Sequence, residues 1–159
     1  MSQGQTTLKG IGASNGVAIG RAFIVHARAV KTPRYHIAAD DVERERARLT
    51  AALEVSERQV AELKAKLGPS DTAGILDAHG LMLRDPLFVA PSFKLIGTEA
   101  INAEWAVRRT ISRIKDLFDG VEDEYFRERR ADLDFVADRV IRNLLGLADE
   151  LPGELPKDA

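Results

Sequence analysis

The sequence predicts a mainly α fold: a helical bundle of two α-hairpins with a bent pair of short helices, preceded by a small β ribbon. Three observations carry this prediction. A single apolar stripe at near-heptad spacing runs from Val42 to Leu67. Helix start and stop signals then recur in close succession as far as Gly146. Only Leu8 to Val25 has the glycine-punctuated, β-branched texture of strands.

Met1 to Thr7 is polar and reads as a loose terminus. Asn15-Gly16 joins LKGIGAS to VAIGRAFIV as a hairpin, because both residues accept positive φ. A two-stranded ribbon is marginal alone, and no later stretch reads as a strand. His26 to Ala38 is a connector. Asp40 is the expected N-cap of the first long helix, with Glu43 completing a capping box. Over Asp41–Leu67 the apolar positions Val42, Leu49, Leu53, Val60, Leu63 and Leu67 are spaced seven, four, seven, three and four apart. Gly68-Pro69 ends this helix.

Ser70 or Asp71 caps a short helix to about Arg84, and Asp85 caps a second with Pro86 at its first position. The second is expected to stop at Gly97, with Pro91 kinking or shortening it. Asn102 is the next N-cap, followed by the stripe Val107, Ile111, Ile114, Phe118 and Val121. Asp119-Gly120 breaks that helix. The last starts near Glu122 or Asp123, buries Phe126, Leu133, Val136 or Ala137, Val140 and Leu144, and closes at Gly146. Leu147 to Ala159 reads as linker or tail. Short turns make the long helices antiparallel neighbours.

Composition narrows the function. The 159 residues suffice for one domain with a real core, or one domain and part of another. A net charge of −2 favours neither nucleic acid nor an anionic membrane surface. The chain contains no cysteine, which excludes disulfides, thiolate nucleophiles and Cys-ligated zinc. No apolar run approaches the length of a membrane span, and the N-terminus lacks the pattern of a secretory signal, so a cytoplasmic location is expected.

Site motifs are sparse. The histidines His26, His36 and His79 have no helical ligand spacing, so no metal site is expected. Ser14 in GASNG lacks the G-x-S-x-G elbow, and GIGASNG leads into a strand rather than a phosphate-binding helix. The acids near Glu122 fit a helix start. The densest apolar stretch is Ser70–Leu95, with Ile75, Leu76, Leu81, Met82 and Leu83 before the Asp85-Pro86 break and Leu87, Phe88 and Val89 after it. That is too much for one stripe. Of Leu81, Met82, Leu87 and Phe88, at least two are expected at the surface. His79, taken by itself, reads as a buried or capping histidine.

Four segments resemble the N-terminal region of enzyme I, the phosphoenolpyruvate–protein phosphotransferase family of the bacterial phosphotransferase system. GIGASNGVAIGRAFIV looks like its opening strands, and IAADDVERERARLTAALEVSERQVAEL like its first long helix. GILDAHGLMLRDPLF looks like its AIF-x-x-H-x-x-L-L-x-D signature, and DEYFRERRADLDFVADRVIRNLLG like its D-E-Y-x-x-E-R-x-x-D motif and last helix. The likeness covers roughly residues 8–147. It implies a helical domain inserted into an α/β phosphohistidine domain. Residues 1–34 would be the first strands of that domain, 35–147 the helical domain that binds the phosphocarrier HPr, and 148–159 a linker or tail.

In that family the active histidine lies in a later G-G-x-x-S-H context, and the phosphoenolpyruvate barrel, with its magnesium, later still. Neither is in this sequence, so the chain is expected to be inactive alone, without cofactor of its own, and monomeric as a fragment. Its expected partners are an HPr-like phosphocarrier and the remainder of enzyme I, in sugar transport. The alternative is a stand-alone helical interaction or regulatory module without phosphotransfer. By motif match the resemblance assigns docking to Ile75, Asp77, His79, Leu81, Met82, Leu87 and Phe88, with Phe118 and Arg129 from the second hairpin. It turns His79 into a surface histidine of that patch, and Asp71, Asp77 and Asp85 into acids facing basic groups. Asn15 replaces the family's proline in A-S-P-G. Arg84, Pro86, Leu87 and Phe88 make the corner of the short helices less acidic than is usual in the family, which leaves the choice of HPr-like partner open.

Overall fold

Helix α1, Val42–Leu67, follows a single 3-10 turn at Ala39–Asp41. In the computed structural model, residues 16–17, 19–20, 30–68, 71–118 and 124–147 are described, without the side chains of 71–72, 118 and 124–131. The expected β ribbon, the cap at Ser70, the helix break at Asp119-Gly120 and the tail lie outside these residues. So do the side chains of Asp71, Phe118, Phe126 and Arg129. By its contacts the chain divides into a helical unit, Arg28–Glu150, and a second unit made of Met1–Ala27 and Leu151–Ala159.

The expected capping box does not form at α1. Neither boundary residue makes a side-chain cap; Asp41 pairs with Arg44 and Glu43 with Arg46, each three residues on. The stripe buries Leu49, Leu53 and Val60, leaves Val42 and Leu63 half-buried, and runs out at Leu67, which is exposed. Gly68 ends α1 with positive φ, its N–H donating to Lys64 O.

Helix α2 spans Asp71–Arg84 and α3 spans Pro86–Glu99. Between them Asp85 is extended, and its carboxylate accepts from Leu87 N–H at 2.8 Å, with Pro86 at the first helical position as expected. Pro91 sits inside α3 without ending it. Gly97 does not stop α3 either. The helix continues two residues further and closes at Ala100 in the left-handed region. Gly97 is instead where the Arg46 guanidinium of α1 lies against the backbone, in space a Cβ would occupy.

Helix α4 is Ala103–Phe118 and α5 is Glu124–Leu144. Gly146 closes α5 in a Schellman motif: Leu147 N–H donates to Arg142 O and Gly146 N–H to Asn143 O. Of the predicted stripes, Val107 and Ile111 on α4 and Leu133, Val136, Ala137 and Val140 on α5 are buried, while Ile114 and Leu144 are half-buried.

The hairpins are antiparallel, as their ion pairs record. Lys64 and Glu57 of α1 meet Asp77 and Arg84 of α2 in reverse order, and Arg108 and Lys115 of α4 meet Asp138 and Asp134 of α5 likewise. Helix α1 also packs on α5, α2 on α5, and α3 on α4 and α1. The bent pair α2–α3 therefore occupies one side of a four-part bundle, around a core that includes Leu49, Leu83, Phe88, Ile96, Ile111 and Ile141.

One polar network ties the bundle to the connector. Asn102 stands at the N-cap position of α4, but its side-chain oxygen turns to the connector rather than to an α4 N–H. Its Oδ1 accepts from Tyr35 N–H, and its Nδ2 donates to Pro33 O and Glu104 Oε2. The capping acceptor is Glu45 of α1, whose Oε1 takes the Ala103 N–H at 2.7 Å. Arg48 bridges the buried carboxylates of Glu45 and Glu104 and donates to Leu144 O at the end of α5. Burial works against the Arg48 charge, but the hydrogen bonds and proximity of the two carboxylates more than offset it and hold the guanidinium above its ordinary pKa. The connector itself forms an isolated antiparallel bridge, His36 to Ile101.

Candidate partner-docking surface

Helix α2 places its side chains in rows three and four apart. Leu76 and Leu83 form the row that enters the core. Asp77, Leu81 and Arg84 form a second row on the α1 side. Ile75, Ala78 and Met82 form a third. Leu81 is 73% exposed and Ile75 51%, while Met82 is half-buried against the core. Past the bend Leu87 is 72% exposed. Two large, mostly exposed apolar side chains on either side of one bend, with half-exposed Ile75 and half-buried Met82 beside them, make an exposed apolar face among the described residues.

The remaining assigned positions divide. Phe88, next to Leu87, is only 3% exposed and is a core residue, because one step along a helix turns a side chain by about 100°. It supports the face from beneath and does not line it. The His79 side chain is 13% exposed and turned toward α5. Its Nε2 is buried 3.4 Å from Asp132 Oδ1, off the line of a hydrogen bond. It faces Asp132 of α5, whereas the docking assignment expects a surface histidine. Asp77 is exposed but engaged, with its carboxylate 2.5 Å from Lys64 Nζ. Asp85 serves as the α3 cap. Phe118 and Arg129 have side chains outside the described residues.

Sequence reasoning missed the ion pairs along the edge of this face. Arg84 sends both Nε and Nη2 to Glu57 Oε2, at 2.9 and 2.8 Å. That hydrogen bond and the Glu57 charge hold the Arg84 guanidinium above its ordinary pKa. No local signal could have found the pair, since its members lie 27 positions apart. Among the described residues no group of three or more His, Asp or Glu side chains is placed to hold a metal ion. Among the described residues no helix is long and apolar enough to cross a membrane.

An α-helical bundle with a bent helix pair carrying an exposed apolar face is the class of protein that fold and surface define. Residues 9–129 match the family described as PEP-utilising enzyme, N-terminal. The chain belongs to that family. It is 34% identical over 152 residues to a phosphoenolpyruvate-protein phosphotransferase of Cupriavidus necator, covering 94% of this chain and 26% of the relative. To that of Bacillus subtilis it is 36% identical over 149 residues, covering 91% and 25%. The chain thus spans about a quarter of the length of these curated relatives. Among solved structures it is similar to an N-terminal enzyme I protein determined by NMR (TM-score 0.70, 32% identity, 74% of this chain and 48% of that one). It is also similar to the N-terminal domain of Enzyme 1 - Nitrogen (TM-score 0.63, 29% identity, 70% and 48%).

Proposed function

We propose that the helical unit is the docking module of a phosphoenolpyruvate–protein phosphotransferase and binds an HPr-like phosphocarrier through α2, the bend and α3. The observation that supports this most is the uncovered pair Leu81 and Leu87, flanking the bend inside the signature segment. Such side chains supply the desolvated centre that a protein interface needs. In this reading Ile75, Leu81, Met82 and Leu87 make the apolar contact. Phe118 and Arg129 complete it from the second hairpin, Asp77 sits at the edge, and His79 and Phe88 hold the face in place.

Docking is a positioning task. It brings the carrier's histidine to a phosphohistidine elsewhere on the enzyme, where in-line transfer depends on alignment more than on covalent help from the protein. The phosphoenolpyruvate site and its magnesium belong, in this proposal, to parts of the enzyme outside this sequence. The setting is the cytoplasm and the system sugar uptake.

The test is a titration of the chain with the HPr-like phosphocarrier of its source organism, followed by calorimetry or NMR. Saturable binding is expected, weakened at least about tenfold, or 1.4 kcal/mol, by Leu81→Glu. Because Leu81 lies at the surface, that variant should unfold at nearly the native temperature. Failure to bind any HPr-like protein of that organism overturns the proposal.

A further inference from the structure

Charge along the α1 edge of the apolar face is balanced, and its two couples nearest Leu81 are closed ion pairs. Along its α1 edge stand three acids, Glu54, Glu57 and Asp77, and three bases, Arg58, Lys64 and Arg84. Two acid–base couples are closed, Lys64 with Asp77 at 2.5 Å and Arg84 with Glu57 at 2.8 Å. Both join the helix that carries Leu81 to its neighbour. A shallow depression of about 320 Å³, lined by Glu54, Glu57, Arg58, Ala61 and Arg84, lies along the same edge. On the far side of the bend Asp85 is committed as a helix cap and stands with one exposed base, Lys94. The described charges of the α1 edge sum to zero, as do Asp85 and Lys94, and Asp132, beside His79 on the α5 edge, leaves the described rim with a single surplus acid.

We infer that this face fits a phosphocarrier whose docking surface is apolar at its centre and close to charge-neutral at its rim, so that recognition is by shape and apolar burial rather than by charge. This rests on the docking reading above. The physical reason is range. A closed ion pair presents a dipole whose field fades within a few ångströms, whereas an unpaired charge acts out to a Debye length of about 8 Å at physiological salt. A strongly basic partner would meet Arg84, Lys64 and Arg58 as like charges, or would have to open two ion pairs to reach Glu57 and Asp77. Association should then proceed near the unsteered rate, about 10⁵–10⁶ M⁻¹s⁻¹, without electrostatic acceleration.

The experiment measures Kd and association rate of the full chain with its organism's HPr-like phosphocarrier at roughly 50 and 500 mM NaCl. The expected result is a change in Kd of less than about threefold. A weakening of about tenfold or more overturns the inference and leaves the docking reading standing. Absence of binding at both salts overturns both. Two exposed-edge variants add a second readout. The charge swap Glu57→Arg with Arg84→Glu keeps the rim neutral and should bind within about twofold of the native chain. Arg84→Glu alone should make Kd salt-dependent. Loss of binding in the swap equal to that in the single variant shows that Arg84 is read by its sign, which also overturns the inference.

Discussion

Leu87 and Phe88 are neighbours in sequence and opposite in role. Phe88 fills the core beneath the bend, so Phe88→Ala should lower unfolding free energy by about 3–5 kcal/mol in a denaturant titration. Leu87→Ala, at an exposed position, should stay within about 0.5 kcal/mol while weakening carrier binding. Glu45 carries a different load. It caps α4 from a separate helix and shares Arg48 with buried Glu104. Arg48→Met would leave two buried carboxylates without their counter-charge, and a loss of about 3–5 kcal/mol is expected by the same measurement. Glu99 gives a pH signature. The hydrogen bond from Arg109 lowers its pKa below the ordinary carboxylate value, against the opposing effect of desolvation. A folded pKa below the unfolded one means a contribution present above the ordinary carboxylate pKa and lost as pH falls through the lowered value. Glu99→Gln should therefore narrow the stability difference between neutral and acid pH, read as unfolding temperature across pH 3 to 7.

The decisive element is the bent pair α2–α3. Had residues 71–99 formed one straight helix, its apolar side chains would have had a single azimuth relative to the bundle. The Asp85 cap and Pro86 interrupt the helix, so α2 sets Leu76 and Leu83 inward with Leu81 outward, and α3 sets Phe88, Leu95 and Ile96 inward with Leu87 outward. Asp85→Ala removes the acceptor for Leu87 N–H and should cost about 1 kcal/mol. It should also weaken docking by more than that stability loss explains, because the angle between the two exposed leucines is set at this residue. Comparing carrier affinity with thermal stability for this variant checks the point.

Across the whole molecule, stability of the helical unit depends on a stretch that reads as mere connector. Pro33 and Tyr35 satisfy the buried Asn102 amide, Ile37 N–H donates to Ala100 O, and the His36 ring meets Trp105 edge-on at 5.5 Å. A chain starting at residue 30 should retain cooperative unfolding. One starting at residue 40 leaves the Asn102 side chain without its connector partners, each such loss costing about 1–3 kcal/mol. A drop of at least several degrees in unfolding temperature between the two truncations is the expected outcome, measured by circular dichroism.

What could be read from the sequence was whatever is decided within a turn or two of backbone. Gly68 and Gly146 end helices because left-handed φ is cheap for glycine. Asp85-Pro86 starts one because a carboxylate and a ring suit its first turn, and the stripes of α1, α4 and α5 identify nine of the nineteen buried apolar residues described, by period alone. The signature segment likewise contains the exposed Leu81 and, just past its break, Leu87. Only the tertiary structure decided which apolar residues of that segment look outward, that His79 turns toward Asp132, and that Gly97 stays helical beneath Arg46. It also decided that α4 is capped from 58 positions away by Glu45, which leaves Asn102 to hold Tyr35 across 67. Periodicity fixes which residues share a row, but not which neighbouring helix covers it. A buried carboxylate goes to whichever unsatisfied N–H the packing brings within reach, at any separation along the chain.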